Sequence, residues 1–213
     1  MLEALAGEAD PHTTVSAPAD ALDAHVADSL SGLAVSDLGR ARRIADVGAG
    51  AGFPGLALAI ASPGARVDLI ESAGRKTAVI GRLAQAAKLS NARAITARAE
   101  DWAGTPGALG GGGGAYDAVV ARAVAALPVL VEYAAPLLRE GGVLVAWKGA
   151  GAPDEEAAGA AAAAAVGMVP EEVLRVEPFE GARDRHLHVF RKIAPTPERF
   201  PRRAGMAAKR PLG

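Results

Sequence analysis

Short apolar runs alternate along most of the chain with longer segments of helical periodicity. The apolar runs predict six strands, at residues 42–47, 66–71, 92–96, 117–121, 143–147 and 186–192. The longer segments predict helices at residues 54–61, 73–88, 127–138 and 153–166, and a further helix, residues 19–33, before the first strand. This order predicts parallel βαβ units, and hence an α/β fold with helices on both faces of a mostly parallel sheet.

The composition narrows the class of protein. The chain has 213 residues, of which 50% are hydrophobic and 22% charged, which is typical of one globular domain. A formal net charge of -1 excludes a uniformly basic nucleic-acid binder but allows a local basic patch. Because the chain has no cysteine, disulfides, cysteine-held metal clusters and cysteine nucleophiles are excluded. Neither a signal peptide nor a membrane-spanning run is present, so we expect a cytoplasmic protein without a membrane partner.

Two segments are unusual in composition. Residues 104–115 include five consecutive glycines, which predict a flexible surface loop. Residues 191–213 carry seven lysine and arginine side chains against a single acid, Glu198, and contain four prolines. We therefore divide the chain into a domain, residues 1–194, and a basic tail, residues 195–213, that favours an anionic partner.

A glycine-rich turn follows the first predicted strand, with the sequence DVGAGAGFPG at residues 46–55. Glycines let the backbone turn sharply and approach a ligand closely, so Gly48 and Gly50 are candidate cofactor-binding residues. Glu71 ends the second predicted strand, where a carboxylate can accept hydrogen bonds from ribose hydroxyls. Together they predict a nucleoside-containing cofactor at the carboxyl ends of the strands.

Residues 50–55 formally match the dinucleotide fingerprint G-x-G-x-x-G. Two features argue against NAD. Asp46 stands where a dinucleotide-binding strand is usually apolar, and Pro54 removes an amide from the helix start, where a pyrophosphate needs donors. S-adenosylmethionine (SAM) has no phosphate, and Asp46 can offset its positive charge. SAM is therefore favoured, and an NAD-dependent oxidoreductase remains an alternative.

Further candidates follow the remaining predicted strands. Ala99 and Glu100 come after the third strand, where an adenine would lie. Arg122 follows the fourth strand and Lys148 the fifth, and residues just past strand ends line the ligand crevice of an open α/β sheet. We take Arg122 and Lys148 as positioning candidates in catalysis, and we identify no metal-binding residues.

The sequence lacks the motifs or cysteines that several classes of methyl transfer require, which argues against those classes. Enzymes that methylate exocyclic amines of bases usually have an Asn/Asp-Pro-Pro-aromatic motif after the fourth strand, where this chain has ARAV at residues 121–124. Methylation at pyrimidine C5 and radical SAM chemistry both need cysteines. Direct in-line attack by a group that is already nucleophilic remains. Guanine N7 is such a group, and its methylation requires positioning more than acid–base catalysis.

These motifs resemble, in order, those of the bacterial 16S ribosomal RNA guanine-N7 methyltransferases, the glucose-inhibited division protein B family. The resembling segments are HVADSL (25–30), DVGAGAGFPG (46–55), ESAGRK (71–76), RAED (98–101), ARAVAAL (121–127), WKG (147–149) and PTPERFPRRAG (195–205). The resemblance runs from about residue 20 to the C-terminus. It implies a Rossmann-like class I SAM-dependent methyltransferase with a seven-stranded sheet. It also implies SAM contacts from Gly48, Phe53, Ala99, Glu100 and Arg122.

The resemblance further implies a guanine in the decoding-region loop of 16S rRNA as the target, either in the RNA or in a small-subunit precursor. We expect a monomer. Candidate RNA contacts outside the cofactor motifs are Lys148, Arg199, Arg202, Arg203, Lys209 and Arg210, and we expect the tail to leave SAM affinity nearly unchanged. Two alternatives also remain: a small-molecule methyltransferase, and a non-catalytic RNA-binding protein that keeps the fold.

The N-terminal part departs from the family pattern, because His12-Thr13-Thr14 replaces an Asn-Leu-Thr stretch. On the helix predicted over residues 19–33, which would cover the cleft, His25 and Ser29 share a face and Asp28 lies beside it. Two interpretations of His25, Asp28 and Ser29 stay open. They brace the cleft by packing and hydrogen bonding, or they contact SAM or the target guanine directly.

Overall fold

The computed structural model describes residues 1–213, which form a seven-stranded sheet with helices on both faces. The strands are β1 (Arg43–Val47), β2 (Arg66–Glu71), β3 (Ala92–Thr96), β4 (Tyr116–Arg122), β5 (Leu138–Lys148), β6 (Met168–Val176) and β7 (Arg185–Lys192). Their spatial order is β3-β2-β1-β4-β5-β7-β6, and β7 alone runs antiparallel to its neighbours. The predicted α/β class and mostly parallel sheet are confirmed.

The α-helices are α1 (Leu2–Ala6), α2 (Pro18–Ala21), α3 (Asp28–Leu30), α4 (Ser36–Arg40), α5 (Gly55–Ala61), α6 (Gly74–Ala86), α7 (Ala99–Ala103), α8 (Leu127–Ala134), α9 (Pro153–Ala165) and α10 (Met206–Lys209). A π-helix, Leu22–Ala27, joins α2 to α3, and 3₁₀ turns cover Ser31–Ala34 and Gly107–Leu109. None of these helices could cross a lipid bilayer, since none is long and apolar enough.

Side-chain alternation along the central strands divides the core into two clusters, one on each face of the sheet. On β4, Ala118 and Val120 pack with α5 and α6 and the N-terminal segment, whereas Val119 and Ala121 pack with α8 and α9. Because successive residues of a strand point to opposite faces, an apolar run such as this one is buried on both. The continuous apolar strands of the sequence thus follow from two-sided burial.

Several elements differ from the sequence-based prediction, and three of the differences are informative. The helix predicted over residues 127–138 ends at Ala134, because β5 begins at Leu138. The helix predicted over residues 19–33 is broken into α-, π- and 3₁₀-helical turns. Strand β6 was not predicted, because it is an edge strand with mostly exposed residues and lacks an apolar run. It contains a bulge, in which Pro170 and Glu172 face the neighbouring residues Phe190 and Val189 of β7 and Glu171 has no partner in the register.

The glycine-rich segment, predicted to be a flexible loop, is held by backbone hydrogen bonds. The amide of Gly107 donates to the carbonyl of Gly113 at 2.8 Å, and the amide of Gly112 donates to that of Trp102 at 3.0 Å. Gly111 and Gly112 are buried. A Cβ at Gly112 would overlap the Trp102 ring, which itself donates a hydrogen bond from Nε1 to the Tyr116 hydroxyl at 2.9 Å. At Gly111 and Gly112 no side chain fits, whereas Gly110 and Gly114 have open space but positive φ.

The basic tail also folds onto the domain. Phe200 and Ala207 are buried, and Phe200 belongs to the apolar cluster formed with α8 and α9. Glu132 of α8, itself 2% exposed, accepts a hydrogen bond from Nε of Arg202 at 2.6 Å. Residues 195–213 therefore pack along α8 as part of the same body.

We predict that Gly112→Ala lowers the free energy of unfolding by roughly 1–3 kcal/mol, the usual effect of overpacking, because the pinned Trp102 ring must move. Gly81→Ala is the control. Gly81 lies within α6, and a Cβ there meets nothing within 4 Å. That substitution should stabilise the protein by roughly 0.5–1 kcal/mol. Denaturant unfolding of both variants checks the pair, and an unchanged midpoint for Gly112→Ala would show that the loop is loose.

Candidate cofactor-binding and active site

A cleft of about 540 Å³ opens at the carboxyl ends of β1, β2, β3 and β4, and its volume is in the range of small-molecule sites. The structure brings together at this cleft all the residues predicted to bind the cofactor. These are Gly48, Gly50, Phe53, Glu71, Ala99, Glu100 and Arg122. Lys148 and the basic side chains of the tail do not line it.

The turn after β1 is shaped by close backbone approaches. Gly48 has φ +70°, and a Cβ at this position would lie 2.7 Å from Cγ2 of Val124. Asp46 is fully buried below the turn, and its Oδ2 accepts a hydrogen bond from the Gly55 amide at 2.7 Å. Burial raises the pKa of Asp46 to about 7. Asp46 does not line the cleft, and its carboxylate fixes the start of α5.

Glu71 is oriented before any ligand arrives. Its Oε1 accepts hydrogen bonds from the Ala73 amide at 2.9 Å and the Ser72 hydroxyl at 3.2 Å, and its Oε2 accepts one from the Gly50 amide at 3.2 Å. The residue is 7% exposed and opens only toward the cleft. A carboxylate fixed in this way at a strand end suits a ribose hydroxyl, because Oε2 accepts a single hydrogen bond from the protein and retains an acceptor site.

His25 packs flat on Phe53, with ring centroids 4.7 Å apart and an angle of 16° between the planes. Its Nε2 lies 2.9 Å from the carbonyl oxygen of Val15 and 3.0 Å from the hydroxyl of Thr13. Burial lowers the pKa of His25, which favours the neutral ring. Since Nε2 must donate to the Val15 carbonyl, Nδ1 is the acceptor, and it faces Nη2 of Arg122 at 3.3 Å.

Arg122 ties the N-terminal helices to the end of β4. Its Nη1 donates to Oδ2 of Asp28 at 2.6 Å and to the carbonyl of Ala24 at 3.1 Å. The backbone carbonyl of Asp28 in turn accepts a hydrogen bond from Nε1 of Trp147 at 2.8 Å. Asp28 and Ser29 are buried behind the cleft, and of the three motif residues only His25 lines it. This arrangement favours the bracing role for Asp28 and Ser29.

Lys148 lies behind the loop that follows β4. Its ammonium group is 2.6 Å from Oε1 of Glu155 and donates to the Ala125 carbonyl at 3.3 Å. The same Glu155 oxygen accepts the Leu127 amide at 2.8 Å. Lys148 thus holds the α8 end of the loop that contains Ala123, a non-glycine residue with φ +56°.

Several residues of the cleft were not predicted from the sequence, among them His12, Thr13, Tyr133 and Ala208. His12 has φ +55°, and its Nδ1 is 3.0 Å from Oδ1 of Asp10, which makes it the one imidazole–carboxylate pair at the cleft. His12 and Thr13 reach the cleft because the chain folds back before α2. Their only signal in the sequence is the departure from the family pattern at residues 12–14.

Comparison with known proteins decides the family. The family model described as rRNA small subunit methyltransferase G, GidB, matches residues 6–187. The chain belongs to the GidB family. Its relatives include the ribosomal RNA small subunit methyltransferase G of Rubrobacter xylanophilus, 45% identical over 92% of this chain and 74% of that protein. The protein of the same name from Pelotomaculum thermopropionicum is 44% identical over 88% of this chain and 77% of its own length.

Solved structures agree on the fold of this GidB-family chain. A predicted O-methyltransferase from Agrobacterium tumefaciens superposes with a TM-score of 0.60 at 24% identity, over 79% of this chain and 81% of that one. The 1,6-didemethyltoxoflavin-N1-methyltransferase of Burkholderia thailandensis, solved with S-adenosylhomocysteine, gives 0.59 at 15% identity, over 83% and 82% of the two chains. The chain is a SAM-dependent methyltransferase. The fixed Glu71 carboxylate and the open backbone at Gly48 fit that cofactor.

We predict that Gly48→Val abolishes binding of S-adenosylhomocysteine (SAH) while the protein stays folded. The valine side chain would occupy cleft volume and overlap Val124, at a φ that β-branched residues avoid. Calorimetric titration with SAH, alongside a thermal melt, checks this. The control is Val124→Ala, which removes the neighbour but leaves Gly48, and should bind SAH. Unchanged SAH affinity in Gly48→Val would contradict the assigned position of the cofactor.

The lowered pKa of His25 predicts a pH dependence. Protonation is harder in the folded than in the unfolded state, so the stability that neutral His25 contributes is complete above its unfolded pKa of 6.5 and is lost as the pH falls below it. The difference in unfolding free energy between wild type and His25→Gln should therefore shrink between pH 7.5 and pH 5.5. Urea unfolding at both pH values measures it. Because His188 titrates in both proteins, its effect cancels, and a constant difference would contradict the prediction.

Proposed function

We propose that the protein transfers the methyl group of SAM to N7 of a guanine in the decoding-region loop of 16S rRNA, in the cytoplasm and without a general base. Membership of a family named for the small ribosomal subunit supports rRNA as the substrate. Bound SAM supplies an electrophilic methyl group. Glu71 would hold the ribose, Glu100 and the neighbouring backbone the adenine, and Phe53 with the Gly48–Gly50 turn the rest of the cofactor.

The observation that carries the proposal for N7 is that His25 and Arg122, which both line the cleft, are already engaged in hydrogen bonds. His25 is held neutral, with Nε2–H donating to Val15 and Nδ1 facing Arg122. Arg122 is itself engaged by Asp28. Neither group is free to accept a proton from an acceptor nucleophile. Guanine N7 has a free lone pair and no proton to lose, so positioning in line with the methyl group is sufficient.

Arg122 and Lys148 act in this proposal as positioning residues. Through Asp28 and Ala24, Arg122 keeps the N-terminal helices against the cleft. Through Glu155 and Ala125, Lys148 holds the loop after β4 against the cleft wall. Because Lys148 is paired and lies behind that loop, the proposed RNA contacts depend mainly on the tail.

In the tail, Arg199, Arg203, Lys209 and Arg210 have exposed side chains, whereas Arg202 is paired with Glu132. Because the net charge of the chain is -1, the protein as a whole does not attract RNA. An exposed basic cluster beside the cleft would supply the local attraction that RNA phosphates need. We propose that the four exposed side chains bind rRNA phosphates and that Arg202 fixes the tail on which they lie.

The test is incubation of the enzyme with SAM and either free 16S rRNA or small ribosomal subunits, followed by mass mapping of the modified nucleotide. The expected product is one N7-methylguanosine in the decoding-region loop. The Asp10–His12 pair allows a comparison between catalysis with and without a general base. If N7 is the acceptor, His12→Asn should lower turnover by less than about ten-fold. A loss of about 10²–10⁴ would instead indicate general base catalysis and an oxygen or exocyclic nitrogen acceptor.

We predict that replacing Arg203, Lys209 and Arg210 with glutamine lowers the salt dependence of RNA binding. For a single strand, each phosphate contact that is lost should reduce the slope of log K against log salt by about 0.7. Filter binding at several salt concentrations measures the slope. Arg66→Gln is the control, because Arg66 is an exposed arginine at the amino end of β2, away from the cleft. Equal slopes for the triple variant and wild type would show that the tail is not part of the RNA-binding surface.

A further inference from the structure

The tail reaches the cofactor cleft itself, although its basic, proline-containing sequence predicts only an RNA-binding segment. After the buried Phe200, the chain turns at Gly205, which has φ +82°, and forms the short helix α10. Ala207 of α10 is 1% exposed against the body of the protein. The next residue, Ala208, lines the cleft. The tail is therefore one wall of the site in which the cofactor is proposed to bind.

A second contact joins the tail to a cofactor residue. The backbone amide of Gly205 donates a hydrogen bond to Oε1 of Glu100 at 2.8 Å. Glu100 is 6% exposed, and its Oε2 accepts no hydrogen bond from the protein. The amide of Gly205 therefore fixes the carboxylate of Glu100 and leaves one oxygen for a ligand donor.

The anchor of this segment is the ion pair between Arg202 and Glu132. Nη2 of Arg202 also donates to the carbonyl of Arg210 at 2.8 Å, so one guanidinium joins both ends of the segment to α8. Tyr133, the residue after Glu132, lines the cleft. The same turn of α8 thus holds the tail and forms part of the wall next to it.

From these contacts we propose that the segment from Phe200 to Lys209 completes the cofactor-binding site, through the Gly205 amide on Glu100 and the Ala208 wall, so that cofactor affinity depends on docking of the tail. This inference rests on the proposed binding of SAM in the cleft. It replaces the expectation that the tail leaves SAM affinity unchanged. Because the same segment carries Arg203 and Lys209, rRNA that holds the tail in place would also tighten cofactor binding, since such coupling is reciprocal.

The test compares two full-length variants that add the same charge to the tail. Ala207→Asp places a carboxylate in the buried contact and should undock α10. Pro211→Asp places it at an exposed position two residues beyond α10. Calorimetry with SAH should give an affinity lowered by roughly ten-fold for Ala207→Asp, the size expected for one hydrogen bond to a charged group, and within two-fold of wild type for Pro211→Asp. Equal or tighter binding by Ala207→Asp would overturn the proposal.

A measurement on the unmodified protein covers the case in which Ala207→Asp fails to fold. Hydrogen exchange of residues 200–213 is followed with and without saturating SAH. The amides of Gly205 and Lys209, which donate to Glu100 and to the Gly205 carbonyl, should exchange several-fold more slowly with SAH bound. Unchanged exchange of both amides would overturn the coupling. If wild type does not bind SAH at all, the proposed function fails instead, so the two failures are distinguishable.

Discussion

The close passage of the backbone at the end of β1 is the constraint on which the cleft depends. The chain must leave the strand, pass beneath Val124 and enter α5 over the buried carboxylate of Asp46. At Gly48 and at Gly55 a side chain would collide with Val124 and with Asp46 or Leu69, respectively. Asp46 contributes by accepting the Gly55 amide, which would otherwise be buried without a partner. The cleft is open because these groups are packed so closely below it.

The charged groups around the cleft are largely engaged with one another. Arg122 is held by Asp28, Lys148 by Glu155 and Arg202 by Glu132. Two of the pairs, Arg122–Asp28 and Arg202–Glu132, join segments that are distant in the chain, and all three are partly buried. Pairs of this kind specify an arrangement more than they add stability, because desolvation offsets much of the attraction. They form a rigid frame suited to chemistry that depends on alignment.

The parts of the site that were predictable from the sequence are those that follow strand ends. The rule that parallel strands end at one edge of a sheet was enough to bring Gly48, Glu71, Glu100 and Arg122 to one cleft. What was not predictable depends on pairing across long separations. The sequence suggests that Asp46 offsets the charge of SAM, but it does not show that the same carboxylate accepts the Gly55 amide below the cleft. Ala208 carried no signal, since an alanine near a chain end acquires a role only when the tail folds over α8.

The same limit explains the differences in secondary structure. Strand β6 is mostly exposed and contains a proline, so its pattern differs from that of the buried strands.

The bulge in β6 interrupts the exposed edge of the sheet. An open edge strand can template pairing with a strand of another molecule, which leads to aggregation. Here the edge is interrupted at Pro170, which has no amide hydrogen to donate, and at Glu171, whose carboxylate turns inward to Nε of Arg191 at 2.9 Å. An incoming strand would meet a gap in the ladder and two neighbouring negative charges, Glu171 and Glu172. The most exposed strand of the sheet is thereby the one whose edge is least suited to pairing with a strand of another copy.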